Sequence, residues 1–125
     1  MNEKILIIED DANMLKLAKY NLEKHGYTVI TAESGTEGLR LARQESPDLL
    51  IIDVLLPKMD GFMVCRMLRF DERFKHIPII ILTGQVTEKD EATGKEVGVD
   101  IYLKKPYEPA VLLEKVKKLL EKGGG

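Results

Sequence analysis

Three short runs in the chain are continuously apolar: Ile5-Leu6-Ile7-Ile8, Leu49-Leu50-Ile51-Ile52 and Ile79-Ile80-Ile81-Leu82. Unbroken hydrophobicity of this length, rich in β-branched residues, suits strands buried on both faces, as in a parallel sheet covered by helices. Weaker candidates are Thr28-Val29-Ile30-Thr31 and Ile101-Tyr102-Leu103. Between these runs the period changes. Met14, Ala18 and Leu22 recur every four residues, with Leu15 and Leu17 beside them, and Gly26 supplies a stop. Ser34-Gly35-Thr36-Glu37 reads as a capping box opening a second helix, with Leu39, Leu41 and Ala42 inward and Pro47 closing the region. A third helix is predicted over 61–70, with Phe62, Cys65, Met67 and Leu68 among its apolar positions. The fourth, over 87–97, is the weakest, because Gly94 interrupts it and large apolar residues are few. In the fifth, Val111, Leu112, Val116, Leu119 and Leu120 share one stripe and lysines line the rest. The order βαβαβαβαβα predicts an α/β fold, a five-stranded parallel sheet with helices on both faces.

Composition narrows the setting. The 125 residues suit one domain, expected over 1–122, with a flexible glycine tail at 123–125. Nineteen basic against 21 acidic residues give a net charge of -2, which argues against holding nucleic acid or an anionic membrane by bulk charge. No apolar run approaches the ~18 residues of a membrane span, and the first residues lack a signal-peptide pattern. A cytoplasmic domain is the expectation. The single cysteine, Cys65, cannot form an internal disulfide or a multi-thiolate metal site, and its place among apolar helix positions suits a small core residue.

In open α/β sheets, ligands bind beyond the carboxyl ends of the strands. Those ends carry Glu9-Asp10-Asp11, Asp53, Thr83-Gly84 and Lys104-Lys105-Pro106. Each has an ordinary reading alone: Asp11 suits a helix N-cap, Thr83 a turn and the lysines solvated charge. Together, at four of five strand ends, they suit phosphoryl chemistry. Crowded carboxylates raise one another's pKa, and a hard divalent cation such as Mg²⁺ or Mn²⁺ relieves the repulsion. A lysine offers fixed positive charge, a threonine hydroxyl a hydrogen bond, and a central carboxylate a nucleophile that forms an acyl phosphate.

The segments Ile5 to Asp11, Leu50 to Gly61, Pro78 to Gly84 and Tyr102 to Tyr107, in this order and spacing, resemble the receiver domain of two-component response regulators. The likeness extends from about Lys4 to Lys122 and is to the single-domain, chemotaxis-regulator type. It implies a flavodoxin-like (βα)5 sandwich with strand order 2-1-3-4-5, which sets Asp10 and Asp53 side by side. It implies Asp53 as phosphoacceptor. Asp10 and Asp53 would bind Mg²⁺ with Glu9, reaching it through water, and the backbone carbonyl of Leu55. Thr83 would follow the phosphoryl group. The family lysine directly precedes a proline, which selects Lys105, joined to Pro106 by a cis bond, and leaves Lys104 solvated. Tyr102 matches an aromatic that moves with the threonine. Glu9 stands where Asp is more usual, and Gly84 where Ala is common, loosening the following loop.

The implied partners are a histidine kinase or histidine phosphotransfer protein as donor and a downstream protein target or output domain as receiver. Direct nucleic-acid and membrane contacts are not expected. A homodimer through the face made by helix 4, strand 5 and helix 5 is compatible. With the whole chain occupied by five βα units, output is expected through a contact surface, by way of Thr83, Tyr102 and the low-stability helix 4. Leu55 and Gln85, two residues after Asp53 and Thr83, would flank the path of attacking water, and an apolar Leu55 predicts slow self-dephosphorylation.

Three rivals fare worse. An aspartate-nucleophile phosphatase usually carries a second Asp where this chain has Leu55, so its general acid is missing. A flavin carrier needs a polar, glycine-rich phosphate loop where this chain has Glu9-Asp10-Asp11, and a dinucleotide site needs a G-x-G-x-x-G that is absent. A receiver-like module without phosphate leaves the intact acid set unexplained. His25 and His76 read as surface residues without partners. Arg66, Arg69, Arg73 and Lys75 read as a solvated basic face, and so do Lys115, Lys117, Lys118 and Lys122.

Overall fold

In the computed structural model the described residues are 2–84 and 87–124, the side chains of 122–124 excepted. Five strands alternate with five helices: β1 (Lys4–Ile8), α1 (Ala12–Lys24), β2 (Thr28–Ala32), α2 (Gly35–Glu45), β3 (Leu49–Asp53), α3 (Gly61–Arg69), β4 (Ile79–Thr83), α4 (Glu88–Val97), β5 (Ile101–Lys104) and α5 (Pro109–Gly124). All pairings are parallel, in the order β2-β1-β3-β4-β5. This is the flavodoxin-like order that the family resemblance implied. Helix α5 continues to Gly124, two residues into the run expected to be a flexible tail. Among the described residues, no helix is long and apolar enough to cross a membrane.

The period-two geometry of strands divides the apolar runs between two cores. Leu6, Ile8, Leu50, Ile52, Ile79 and Ile81 point to one face, where they meet residues of α2 and α3 and Val97 of α4. Ile5, Ile7, Leu49, Ile51, Ile80, Leu82 and Leu103 point to the other, against α1 and α5. The continuous runs in the sequence are therefore two alternating patterns superimposed.

Local chemistry sets the ends. Asp11 Oδ1 accepts from the N–H groups of Asn13 and Met14, and Ser34 Oγ accepts from Glu37 N–H, so both predicted caps form. Thr87 caps α4 in the same way, through Asp90 N–H. In α1, Leu15, Ala18 and Leu22 are buried, whereas Leu17 lies on the wet side, 56% exposed. A 3-10 turn over Glu72–Phe74, not signalled by the sequence pattern, drives Phe74 into the core. Cys65 is fully buried, and burial pushes its thiol up to about 12.

Candidate functional site

The apolar strands stop being apolar at one edge of the sheet. Beyond Ile8 stands Glu9, and β3 and β4 end on Asp53 and Thr83. All three side chains are buried, the polar exceptions among the buried side chains of the described residues. Register explains their meeting: Ile8 pairs with Ile52 and Asp53 with Leu82, so the residues at the ends of adjacent strands fall on one level. Gly61 fixes the loop behind them, because a Cβ there would collide with the carbonyl oxygen of Asp53.

Lys105 enters this edge from the end of β5. Its Nζ donates to Glu9 Oε1 at 2.6 Å and to Asp53 Oδ2 at 2.7 Å. Its own N–H donates to the Thr83 carbonyl at 2.8 Å, and its bond to Pro106 is cis. Burial disfavours the ammonium charge, but the hydrogen bonds to Asp53 and Glu9 outweigh it and hold the pKa above the ordinary lysine range. Lys104 is exposed, so the two lysines part as expected.

Glu9 is the strained member. Burial, then the adjoining Asp53 carboxyl, push its pKa up to about 7 against the opposing pull of Lys105. Its Oε2 is buried and has no hydrogen-bond partner among the described residues. Buried oxygens without a partner are costly and call for an explanation. Carboxylate oxygens of Glu9, Asp10 and Asp53 lie within 4.8 Å of one another. Three acids, one of them exposed, with an unused buried oxygen among them, form an oxygen-donor set suited to a hard divalent cation.

Of the other residues singled out in the sequence, Leu55 offers its N–H to Asp53 Oδ1 at 3.3 Å, and its side chain is 79% exposed. Gly84 is exposed, with nothing near an added Cβ, while Gln85 lies outside the described residues. Tyr102 is half-buried beside α4 and donates its hydroxyl to the Asp90 carbonyl at 2.8 Å.

The family model of the response regulator receiver domain matches residues 5–117. The chain belongs to that family. Receivers of two-component response regulators are phosphorylation-dependent signalling switches, and this chain is such a domain. It is 43% identical over 122 residues to the alkaline phosphatase synthesis transcriptional regulatory protein PhoP of Bacillus subtilis, covering 98% of this chain and 50% of that protein. It is 44% identical over 119 residues to the DNA-binding dual master transcriptional regulator RpaA of Synechocystis, covering 95% of this chain and 49% of that protein. The receiver thus spans about half the length of these curated relatives. Among solved structures, chemotaxis protein CheY4 of Vibrio cholerae superposes with a TM-score of 0.91 at 31% identity, covering 95% of this chain and 99% of that one. The receiver domain of sensor histidine kinase PA1611 from Pseudomonas aeruginosa superposes with a TM-score of 0.87 at 27% identity, covering 97% of this chain and 99% of that one. That structure has a magnesium ion coordinated in its active site cleft.

Two readings from the sequence need correction. Arg69 is not part of a solvated basic face: its guanidinium is half-buried and donates only to carbonyl oxygens. His25 does have a partner, since its Nδ1 lies 2.8 Å from the Asn21 carbonyl at the end of α1. Gly94 also gains a reason. A Cβ there would run into the Tyr102 hydroxyl, so the glycine is the seat of that ring. The His25 contact is an i, i+4 pair at the end of α1, whereas no local sequence signal marks the contacts of Arg69 with α4 or of Gly94 with Tyr102, which join different elements.

Proposed function

We propose that Asp53 accepts the phosphoryl group in a Mg²⁺-dependent transfer from a histidine kinase or phosphotransfer protein. The observation that carries this reading is the bridging of Glu9 and Asp53 by Lys105 beside a buried carboxylate oxygen that lacks a partner. Glu9, Asp10, Asp53 and the backbone carbonyl of Leu55 would hold the metal, with Mn²⁺ as a substitute. A divalent cation bound there supplies charge neutralisation for phosphoryl oxygens. An Asp53 carboxylate oxygen forms the new bond to phosphorus, and the bond from phosphorus to the donor's nitrogen breaks. Lys105 holds Asp53 in place and offers positive charge to the transferred group. The Thr83 hydroxyl donates to a phosphoryl oxygen. The same residues assist hydrolysis of the acyl phosphate.

Output passes through Tyr102 to the surface of α4, β5 and α5, which a downstream protein, a linked output domain or a second copy would read. The transcriptional regulators among the relatives favour a linked output domain in the whole protein.

Intact-mass measurement after incubation with Mg²⁺ and phosphoramidate tests the assignment. A single phosphoryl adduct, absent from Asp53→Asn, is expected. An adduct retained in that variant would overturn Asp53 as acceptor. No adduct from phosphoramidate or from any histidine kinase would favour a receiver-like interaction module.

A further inference from the structure

The last residue of α3, Arg69, spreads its guanidinium across the ends of two elements, α4 and the 3-10 turn. Nε donates to the Val97 carbonyl at 2.9 Å and Nη2 to the Gly98 carbonyl at 2.8 Å. Nη1 donates to the carbonyls of Phe74 at 2.9 Å and Lys75 at 3.2 Å. Val97 is the last residue of α4 and Gly98 its left-handed cap. The cation therefore sits at the negative end of the α4 dipole and supplies charge-assisted bonds to carbonyls there. A second tie, from Arg66 Nη1 to Glu96 Oε1 at 2.6 Å, joins the same helices near the same end.

The other half of α4 is held differently. Its two buried residues, Gly94 and Val97, both lie toward the C-terminal end, and no residue from Glu88 to Thr93 is buried. The Tyr102 hydroxyl on the Asp90 carbonyl is a single neutral bond. Thr87, the N-cap, follows the loop that leaves Thr83 at the site. One end of the helix is thus clamped by a charged fork, and among the described residues the end nearer the site buries little.

We infer that Arg69 is a positioning residue of the switch, fixing the C-terminal end of α4 as the pivot about which its site-proximal half moves. This rests on the reading of Asp53 as phosphoacceptor for the event that starts the motion, but not for the clamp itself. A helix pivoting at its far end converts a small change beside Thr83 into displacement at Glu88 to Thr93, while α3 stays in place. Losing the clamp would let α4 drift as a whole.

Residue-resolved amide exchange on the full chain tests this, with and without Mg²⁺ and phosphoramidate, the adduct being checked by mass. In the wild type, phosphorylation is expected to change exchange by about tenfold at 88–93 and by less than about twofold at 97–99. In Arg69→Gln, the Gly98 and Val99 amides should exchange about tenfold faster before any phosphorylation, with β1 and β3 unchanged. After phosphorylation, the change should then extend to 97–99. Arg69→Lys keeps the charge but not the fork, and should fall between the two. It also serves if the Gln variant folds poorly. Equal changes at both ends of α4 in the wild type, or unaltered Gly98 and Val99 exchange in both variants, would overturn the pivot. Loosening of 97–99 in the variants, with no adduct in the wild type from phosphoramidate or from a histidine kinase, would support the clamp and overturn only the acceptor assignment.

Discussion

Two neighbouring units leave the same edge of the sheet and are built to opposite ends. Strand β3 ends on buried Asp53 and leads into α3, which buries Gly61, Phe62, Val64, Cys65 and Leu68 in nine residues. Strand β4 ends on buried Thr83 and leads into α4, which buries only Gly94 and Val97 in ten. Buried apolar area is what resists displacement, so the first unit is anchored and the second yields. The charge-bearing residue belongs to the anchored unit and the neutral hydroxyl to the yielding one. The proposed function uses both, with Asp53 kept in register with Lys105 as acceptor while α4 moves to report.

The largest expected effect tests the anchoring directly. Leu68→Ala empties part of the core under α3 and should cost about 3 kcal/mol in urea unfolding, while Val97→Ala should cost about half as much. Equal losses would erase the distinction between the helices. Next in size is a pH effect confined to the charged unit. The folded-state pKa of Glu9, raised from 4.5 to about 7, means that the folded protein binds the proton more tightly than the unfolded chain does. Its contribution to stability is therefore full below about 4.5 and is lost as pH rises to about 7 without metal. Thermal unfolding of the metal-free protein should show that decline, and Glu9→Gln should flatten it. A flat wild-type profile would remove the charge conflict from the comparison.

A smaller effect probes the yielding unit. Gly→Ala inside a helix ordinarily stabilises by about 1 kcal/mol. Here the new methyl would meet the Tyr102 hydroxyl, so Gly94→Ala should instead destabilise by about 1 kcal/mol. In a Tyr102→Ala background the sign should reverse, and a double-mutant cycle in urea reads the difference. The smallest effect concerns lifetime. Leu55→Asn puts a polar group where water could be oriented and should speed phosphate loss a few-fold, under about 1 kcal/mol of barrier. Unchanged decay of the acyl phosphate, followed by mass, would deny Leu55 any shielding role.

What was legible in the sequence was what depends on local pattern and on strand ends. The apolar runs marked β1, β3 and β4 because strands covered on both faces leave no polar alternation to read. Glu9, Asp53, Thr83 and Lys105 stood out because each interrupts such a run or follows one at the same edge. Asp11 and Ser34 announced their caps through chemistry confined to one turn. Arg69, Phe74 and Gly94 were different. The carbonyls that Arg69 serves on α4 lie 28 and 29 residues away, and nothing around it in the chain separates it from the solvent-facing Arg66 and Arg73. Gly94 weakened the case for a helix because the ring it seats, Tyr102, belongs to a different element, β5.

Lys105 carries a last consequence, in the arithmetic of donors. An ammonium group has three N–H bonds to give. Glu9 and Asp53 take two of them among the described residues. With those two bonds kept, the third N–H points in a fixed tetrahedral direction, and an oxygen acceptor arriving along it is engaged with neither carboxylate released. The residue that neutralises the two acids is thus already aimed, and no bond has to break before it serves a guest.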